Sequence, residues 1–157
     1  MKPSPIHVTE YFVTEASFSA NRKFDPKQDV MLQSDDFQLG VEAQASPDNK
    51  RRWQIVMRLQ HQPPAEANVP YRFTVEVVGF FVVLERYPEE RVDRLVRTNG
   101  SSMLYGILRE MVRDLTARGP YAQVMLPTTN FYEPEPAEAA ESSQQGLPEK
   151  AEAHETT

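Results

Sequence analysis

The chain has no cysteine and only six glycines among its 157 residues. The absence of cysteine excludes disulfide bonds, thiolate metal sites and a cysteine nucleophile. The few glycines leave little room for the close backbone approach that phosphate-binding loops need. The longest strongly apolar run, residues 75–84, is interrupted by Glu76 and is far too short to span a bilayer, and residues 1–7 contain no apolar signal region. We therefore expect a cytoplasmic protein that does not insert into membranes.

The sequence motifs of common catalytic sites are missing as well. The three histidines, His7, His61 and His154, lie far apart, and no metal-binding, nucleophile-elbow or phosphate-binding motif occurs. The acidic pair Asp35-Asp36 is typical of a solvated turn rather than an acid–base couple. We predict a protein that is not an enzyme, with no catalytic residues, metal or cofactor. A small-molecule enzyme built from residues distant in sequence is the weaker alternative.

The net charge of −6 belongs to the C-terminal part of the chain. Residues 133–157 contain seven glutamates and one lysine, so residues 1–132 hold 16 acidic and 16 basic side chains. A neutral domain gives no electrostatic reason to expect nucleic-acid binding, and the one basic cluster, residues 50–52, lies at a predicted turn. We predict a folded domain over residues 1–132 and an acidic, disordered tail over residues 133–157. A weak helix over residues 137–142 is the alternative for the tail.

Four segments before the tail alternate apolar and polar residues, as half-buried antiparallel strands do. They cover about residues 8–19, 37–44, 53–60 and 71–84, and the turn-forming residues 46–50 predict a hairpin between the second and third. In the first segment the alternation predicts two faces, one with Phe12, Thr14, Ala16 and Phe18 and the other with Tyr11, Val13, Glu15 and Ser17.

The fourth segment turns apolar on both faces toward its end. Tyr71, Phe73 and Val75 mark one face, and Val78 and Phe80 extend the apolar character to the other. A strand end of this kind is buried on both sides. Its second cover is left open between a helix or loop of the same chain, another subunit and a ligand.

Two helices follow the strands. The first covers residues 88–100 and is expected to end at Asn99-Gly100, while the second is capped by Ser101 or Ser102 and stops at Gly119-Pro120. Apolar residues recur at helical spacing along the second helix, which either packs on the sheet or forms an oligomer seam. The order of elements predicts an α+β fold, a four-stranded antiparallel sheet with a long amphipathic helix packed on one face.

Several stretches of the chain resemble the SecB protein-export chaperone family. Residues 99–110 are similar to the start of its long helix, with an aromatic residue, a small residue and Arg-Glu at 105, 106 and 109–110. Residues 115–131 resemble the end of that helix and the following Leu-x-Pro-x-Asn-Phe region, and residues 11–21 and 78–81 resemble two of its strands. The resemblance covers about residues 6–132 and implies the same sheet-and-helix fold.

The resemblance implies an ATP-independent holdase that binds unfolded polypeptides, such as preproteins destined for Sec-dependent export and translocation. It also implies a homotetramer built as a dimer of dimers. One alternative is a SecB-like chaperone dedicated to a specific client, such as an antitoxin. Another is an oligomeric adaptor that binds one folded partner.

By position within the family pattern, three sets of site residues are expected. The client-binding set is Phe37, Leu39, Val41, Ala43, Trp53, Ile55, Leu126 and Phe131. The oligomer-interface set is Tyr11, Val13, Met103, Ile107 and Met111. Glu15 is the candidate contact to the SecA motor, whereas Ser19, Arg72 and Thr74 depart from the acidic or apolar contacts expected there, so SecA remains an open partner.

Overall fold

The computed structural model describes residues 3–28 and 36–132. One antiparallel sheet has the strand order β1-β4-β3-β2, which places β1 and β2 at its two edges. The strands are β1 (Ile6–Ala20), β2 (Gln38–Ser46), β3 (Asn49–His61) and β4 (Tyr71–Val83). The predicted four-stranded sheet and the β2–β3 hairpin are confirmed. The predicted tail over residues 133–157 lies outside the described residues.

Helical turns follow one another without a break from Glu89 to Ala117. They form a 3₁₀ turn (Glu89–Arg91), α1 (Val92–Leu95), a π-helical turn (Val96–Gly100) and α2 (Ser101–Ala117). The predicted boundary at Asn99-Gly100 is therefore wrong, and so is the predicted serine cap. Gly100 has helical backbone angles and no side chain caps α2. The Ser102 hydroxyl instead donates to the Thr98 carbonyl one turn earlier.

Gly100 serves packing and not helix termination. A Cβ atom at this position would lie 2.9 Å from Ile55 Cδ1 and 3.4 Å from Ile6 Cδ1. Because glycine lacks that atom, the helix comes close to β1 and β3 at this point. A glycine after an asparagine predicts a helix end from local preference, and only the packing partner from β3 reveals its other role.

The helical run covers one face of the sheet, as predicted. Gly79 on β4 meets the Leu104 side chain of α2 so closely that a Cβ atom there would lie 2.9 Å from it. The largest buried side chains between sheet and helix are Tyr71, Phe73, Phe81, Ile6, Ile55, Met57, Leu59, Leu104 and Leu108. We call the face under the helix the covered face and the opposite one the open face.

Strand β1 contains two irregularities that change which residues share a face. Its register against β4 shifts at Thr9 and again at Thr14. Phe12 pairs with Val78 on the open face, whereas Ala16 pairs with the fully buried Val75 on the covered face. The predicted grouping of Phe12 with Ala16 and Phe18 is therefore wrong, because an extra residue in a bulge reverses the alternation beyond it.

The apolar end of β4 is covered by the chain on one side. Val78, Phe80 and Val82 lie on the open face and are half-buried between neighbouring strands, and the Phe12 ring packs edge-on against Phe80 at 6.1 Å. Within residues 3–28 and 36–132, the helical run lies on the other face, so the described helices do not provide the second cover.

Candidate functional site

A groove runs along β2 on the covered face. Every second residue from Leu39 to Ala45 points toward it, and Phe37 extends this row just before the strand begins. Phe37, Leu39, Ala43 and Ala45 pack against the edge of the core and are half-buried, whereas Val41 is 37% exposed. The period of two brings the apolar side chains together because alternate strand residues share a face.

The opposite wall of the groove is the extended segment 120–132, which tyrosine and threonine side chains fasten to the core. Tyr71 Oη donates to the Tyr121 carbonyl and accepts from the Tyr121 amide, both at 2.8 Å. The Thr116 hydroxyl accepts from the Val124 amide at 2.9 Å. Tyr105 Oη donates to the carbonyl of Pro127 at 2.8 Å. These side chains supply partners for a backbone that belongs to no strand or helix.

The wall follows Gly119, where the chain leaves α2. A Cβ atom at Gly119 would lie 2.6 Å from the Tyr71 ring and from its hydroxyl oxygen. The described residues contain no glycine with positive φ, so this glycine does not end the helix through a left-handed turn. The predicted helix stop at Gly119-Pro120 agrees with the end of α2 at Ala117. Glycine fits at position 119 because it leaves room for the Tyr71 side chain.

Three pockets follow one another along β2, and the first two lie between β2 and the wall. The first has a volume of about 310 Å³ and is lined by Phe37, Leu39, Leu59, Tyr105, Leu126, Pro127, Thr128 and Thr129. The second, of about 250 Å³, is lined by Val41, Ala43, Arg97, Ser101, Asn130, Phe131 and Tyr132. The third, of about 550 Å³, is lined by Ala45, Lys50, Trp53, Glu89, Glu90, Val92 and Asp93. The groove therefore changes from apolar at its Phe37 end to charged at its Ala45 end.

The structure brings most of the predicted client-binding residues to this groove. Phe37, Leu39 and Leu126 line the first pocket, Val41, Ala43 and Phe131 the second, and Trp53 the third. Ile55 is fully buried beneath Gly100 and supports the groove from within the core. Their role in client binding remains a prediction.

Tyr105 and Arg97, which are absent from the predicted client-binding set, also line the groove. The Tyr105 ring packs edge-on against Phe131 at 5.7 Å, so one side chain both fixes the wall and forms a pocket surface. The Arg97 guanidinium lies over the Trp53 ring, 5.8 Å from its centre, and forms an ion pair with Asp93. The helical spacing of Arg97, Ser101 and Tyr105, four residues apart, was the available signal that they share one side of the helix.

The predicted oligomer-interface residues lie on the other side of α2. Met103, Ile107 and Met111 are four residues apart and so form one row, on the side of the helix that faces away from the groove. Tyr11 and Val13 point to the same face of the sheet from β1, paired with Gly79 and Val77.

This β1-side surface, defined by Tyr11, Val13, Met103, Ile107 and Met111, is apolar and in part accessible. Tyr11 is 49% exposed, Val13 44% and Met103 39%. Exposed apolar surface of this kind commonly marks an interface with another protein. Its use in an oligomer remains a prediction.

The open face carries an ion-pair cluster at its centre. Arg58 Nη1 donates to carboxylate oxygens of both Glu15 and Glu76. The Thr14 hydroxyl donates to Glu76 Oε1 at 2.7 Å. The hydrogen bond from Thr14 first, and that from Arg58 next, hold the pKa of the Glu76 carboxyl below its ordinary value. Glu15, the candidate SecA contact, is thus already paired within the chain.

The described residues contain neither a cluster of metal ligands nor a membrane-spanning helix. Residues 3–28 and 36–132 contain no group of three or more histidine, cysteine or acidic side chains placed to hold a metal ion. The helices in this part of the chain are too short and too polar to cross a membrane.

Comparison with known proteins agrees with the fold. The family described as Preprotein translocase subunit SecB matches residues 2–134. The chain belongs to the SecB family. Membership confirms the resemblance found in the sequence and the prediction of a SecB-like chaperone. No curated protein sequence matches the chain.

Among solved structures, the chain is similar to the Mycobacterium tuberculosis SecB-like chaperone Rv1957, which was solved with a ChAD peptide from the antitoxin Rv1956 HigA1. The identity is 20%, the TM-score is 0.59, and the match covers 83% of this chain and 94% of that one. A protein of unknown function from Streptococcus agalactiae is 12% identical with a TM-score of 0.47, over 78% of this chain and 96% of that one. The similarity to Rv1957 confirms the predicted α+β fold.

Proposed function

We propose that this SecB-family protein is an ATP-independent holdase that binds unfolded polypeptide segments in the groove along β2. The observation that carries the proposal is the row of three pockets beside the alternating residues Leu39, Val41 and Ala43. An unfolded chain exposes apolar side chains that a folded client would hide, and their burial is favourable without being directional. Such a groove suits clients of varied sequence.

The charged end of the groove adds selectivity to this apolar binding. Lys50 pairs with Glu89, and Asp93 pairs with Arg97, whereas Glu90 adds a further acidic group beside the third pocket. A client segment that places an acidic residue there meets repulsion, and one that places a basic residue there does not. Client preference therefore depends on charge as well as on apolar content.

A second candidate function is that of a chaperone dedicated to one client. The solved structure of Rv1957 with an antitoxin peptide favours it, because that SecB-like chaperone binds a segment of a specific protein. The two functions share the groove and differ in affinity for unrelated chains. A dedicated chaperone would bind one client segment far more tightly than an average unfolded segment.

The proposal extends to assembly and location. The apolar β1-side surface supports a homo-oligomer, and the family pattern supports a tetramer made as a dimer of dimers in the cytoplasm. A SecA contact through Glu15 would have to break or accommodate the ion pair with Arg58. We therefore place client holding in the groove and assign the open face no part in it.

The test is binding of a permanently unfolded polypeptide, prepared by reducing and carboxymethylating a disulfide-bonded protein. The native, disulfide-bonded form of the same protein is the control. Isothermal titration calorimetry should show binding of the unfolded form alone, with a negative heat-capacity change from apolar burial. Binding of neither form would refute the general holdase and leave the dedicated chaperone, and binding of the native form alone would support a folded-partner adaptor.

A further inference from the structure

The helical run separates its charged side chains onto two sides. Glu89, Glu90 and Asp93 lie toward the groove, where they line the third pocket. Arg91 and Arg94 lie on another side, where they line a fourth pocket. Because the two signs of charge are interleaved along the sequence, only the fold reveals this separation. A cleft lined by charges of one sign has a strong local potential, which is positive in the fourth pocket.

The chemistry of the fourth pocket favours a negative group. Its volume is about 430 Å³, and none of its lining residues from the described part of the chain is acidic. Besides the two arginines, it is lined by Tyr87, Leu95, Thr98, Asn99 and Tyr132. The Arg94 guanidinium lies over the Tyr132 ring, 5.0 Å from its centre, which restricts the positions of both side chains. Arginine keeps its charge at every physiological pH and can offer a carboxylate two parallel donors.

The wall leads directly to this pocket. Tyr132 is the last residue of the wall, and it lines both the fourth pocket and the second pocket of the groove. The Asn130 side chain accepts a hydrogen bond from the Tyr132 amide at 2.9 Å, which stabilises the local conformation of the last wall residues. The next residue is Glu133, and Pro-Glu-Pro follows at residues 134–136. The first carboxylates of the acidic segment therefore lie within a few residues of the pocket along the chain.

The acidic segment complements the pocket in charge. Residues 133–149 contain five glutamates and no lysine, arginine or histidine. The prolines at positions 134 and 136 reduce the conformational freedom of the unbound chain, so less entropy is lost when it docks. One exposed ion pair is weak by itself, but a short connection gives the carboxylates an effective concentration on the order of millimolar at the pocket. Weak pairs are then sufficient to hold the segment.

We propose that the start of the acidic segment, residues 133–136, docks into the fourth pocket and pairs its two glutamates with Arg91 and Arg94. Docking holds the Tyr132 ring in place and with it one end of the second pocket of the groove. The fourth pocket is thus a binding site for the acidic segment of its own chain. The proposal concerns contacts within one chain and does not depend on client binding.

Paramagnetic relaxation measured by NMR on the full chain tests the proposal. Because the chain has no cysteine, a spin label attached through Ala137→Cys is the single label. Enhanced relaxation should be concentrated at the amides that line the fourth pocket, those of residues 91, 94, 95 and 98.

Two pairs of substitutions in the labelled chain separate docking from mere proximity. Glu133→Gln with Glu135→Gln should reduce the relaxation enhancement by at least about threefold, because two exposed ion pairs are lost together. Glu152→Gln with Glu155→Gln is the matched control, since it removes the same charge from the far end of the segment. The control pair should leave the enhancement unchanged.

Charge exchange provides an independent measurement. Arg91→Glu with Arg94→Glu should abolish the enhancement, and the addition of Glu133→Arg with Glu135→Arg should restore it, because the pairs form again with reversed charges. Circular dichroism checks that these variants are folded. Raising the salt concentration from about 0.1 M to about 1 M should also weaken the enhancement in the labelled parent chain, since exposed ion pairs are screened.

Three results would overturn the proposal. Equal enhancement in the labelled parent chain and in both glutamine variants would show that the chain connection alone brings the label near the pocket. Enhancement in unlabelled chains that are mixed with labelled ones would show that the docked segment belongs to a second copy. If the label does not affect the pocket, the proposal fails, and shifts of the Arg91 and Arg94 signals on addition of a free glutamate-rich peptide would then assign the pocket to an acidic segment of another protein.

Discussion

The two sides of α2 both carry apolar side chains, but among residues 3–28 and 36–132 only the β2 side has a wall. On the β2 side, segment 120–132 is fastened by Tyr71, Tyr105 and Thr116, and a groove remains between it and the strand. On the β1 side, Met103 is exposed, and Ile107 and Met111 in the same row are half-buried. A walled groove suits a single extended chain, whereas an open apolar surface suits a broad partner such as a second copy.

The largest expected effect concerns the β1-side surface. Val13→Asp should break the oligomer, because it places a charge on the face that we assign to the interface. Phe12→Asp is the matched control, since the two side chains are neighbours with 44% and 48% exposure and point to opposite faces. Light scattering should show a mass decrease of at least about twofold for Val13→Asp alone. An equal effect of both variants, or of neither, would contradict the assignment.

The next largest effect concerns the groove along β2. Val41→Asp should weaken binding of the carboxymethylated polypeptide by about 30-fold, because it puts a charge among the apolar contacts of the groove. Gln44→Asp on the same strand points to the open face and serves as the control. Calorimetry measures both affinities, and circular dichroism checks that both variants are folded. Unchanged affinity of the Val41→Asp variant would place the client elsewhere.

Two glycines of the helical run sharpen the comparison of its inner and outer surfaces. Gly106→Ala should raise the free energy of unfolding by up to about 1 kcal/mol, because alanine favours the helix and its Cβ meets nothing within 4 Å. Gly100→Ala gains the same preference but forces a Cβ atom against Ile55, which costs about 1–3 kcal/mol. Urea unfolding should therefore show changes in the free energy of unfolding that are opposite in sign, or clearly different in size, for the two variants. Equal stabilisation by both would show that the helix can shift away from β3.

The wall itself depends on single hydrogen bonds. Tyr105→Phe removes the donor to the carbonyl of Pro127 and should lower the free energy of unfolding by about 0.5–1.5 kcal/mol. Tyr87→Phe is the control, because the Tyr87 hydroxyl forms no hydrogen bond with the part of the chain that the structure describes. Proteolysis within segment 120–132 should also become faster in the Tyr105→Phe variant. Identical stability and cleavage of both variants would mean that the Tyr105 hydroxyl does not help to hold the wall.

The smallest effect is expected on the open face of the sheet, which lies opposite α2. Since the folded-state pKa of Glu76 is lowered, its stabilising contribution is present at neutral pH and is lost as the pH falls through that lowered pKa. Thr14→Val removes the first cause of the lowering and should reduce this acid-dependent part of the stability. Thr9→Val, at the other bulge, should leave it unchanged, since Thr9 donates to a carbonyl. Urea unfolding between pH 3 and pH 7 measures this difference in the free energy of unfolding. We expect it to be about as small as the contribution of one weak surface contact.

Much of the β2 side was predictable from local patterns. The alternation of Leu39, Val41 and Ala43 predicted which side chains share a face, and the helical spacing in α2 predicted its packing on the sheet. These patterns are short-range, because strand and helix geometry fix the direction of each side chain from its neighbours. The covered face of the sheet follows directly from them.

The errors arose where distant residues decide local structure. The bulges at Thr9 and Thr14 moved Phe12 to the open face, although its own neighbours alternate regularly. Asn99-Gly100 reads as a helix end, but the helix continues, because Gly100 fits against Ile55 from another strand.

The sequence by itself determined the sheet-and-helix class, the apolar row of β2 and the family to which the chain belongs. Only the tertiary structure decided that segment 120–132 walls that row into a groove, since its fastening bonds join Tyr71 to Tyr121 and Tyr105 to Pro127. Partners 50 and 22 residues apart leave no periodic trace in the sequence. Their contact depends on where the whole sheet and helix place them, and therefore on the complete fold.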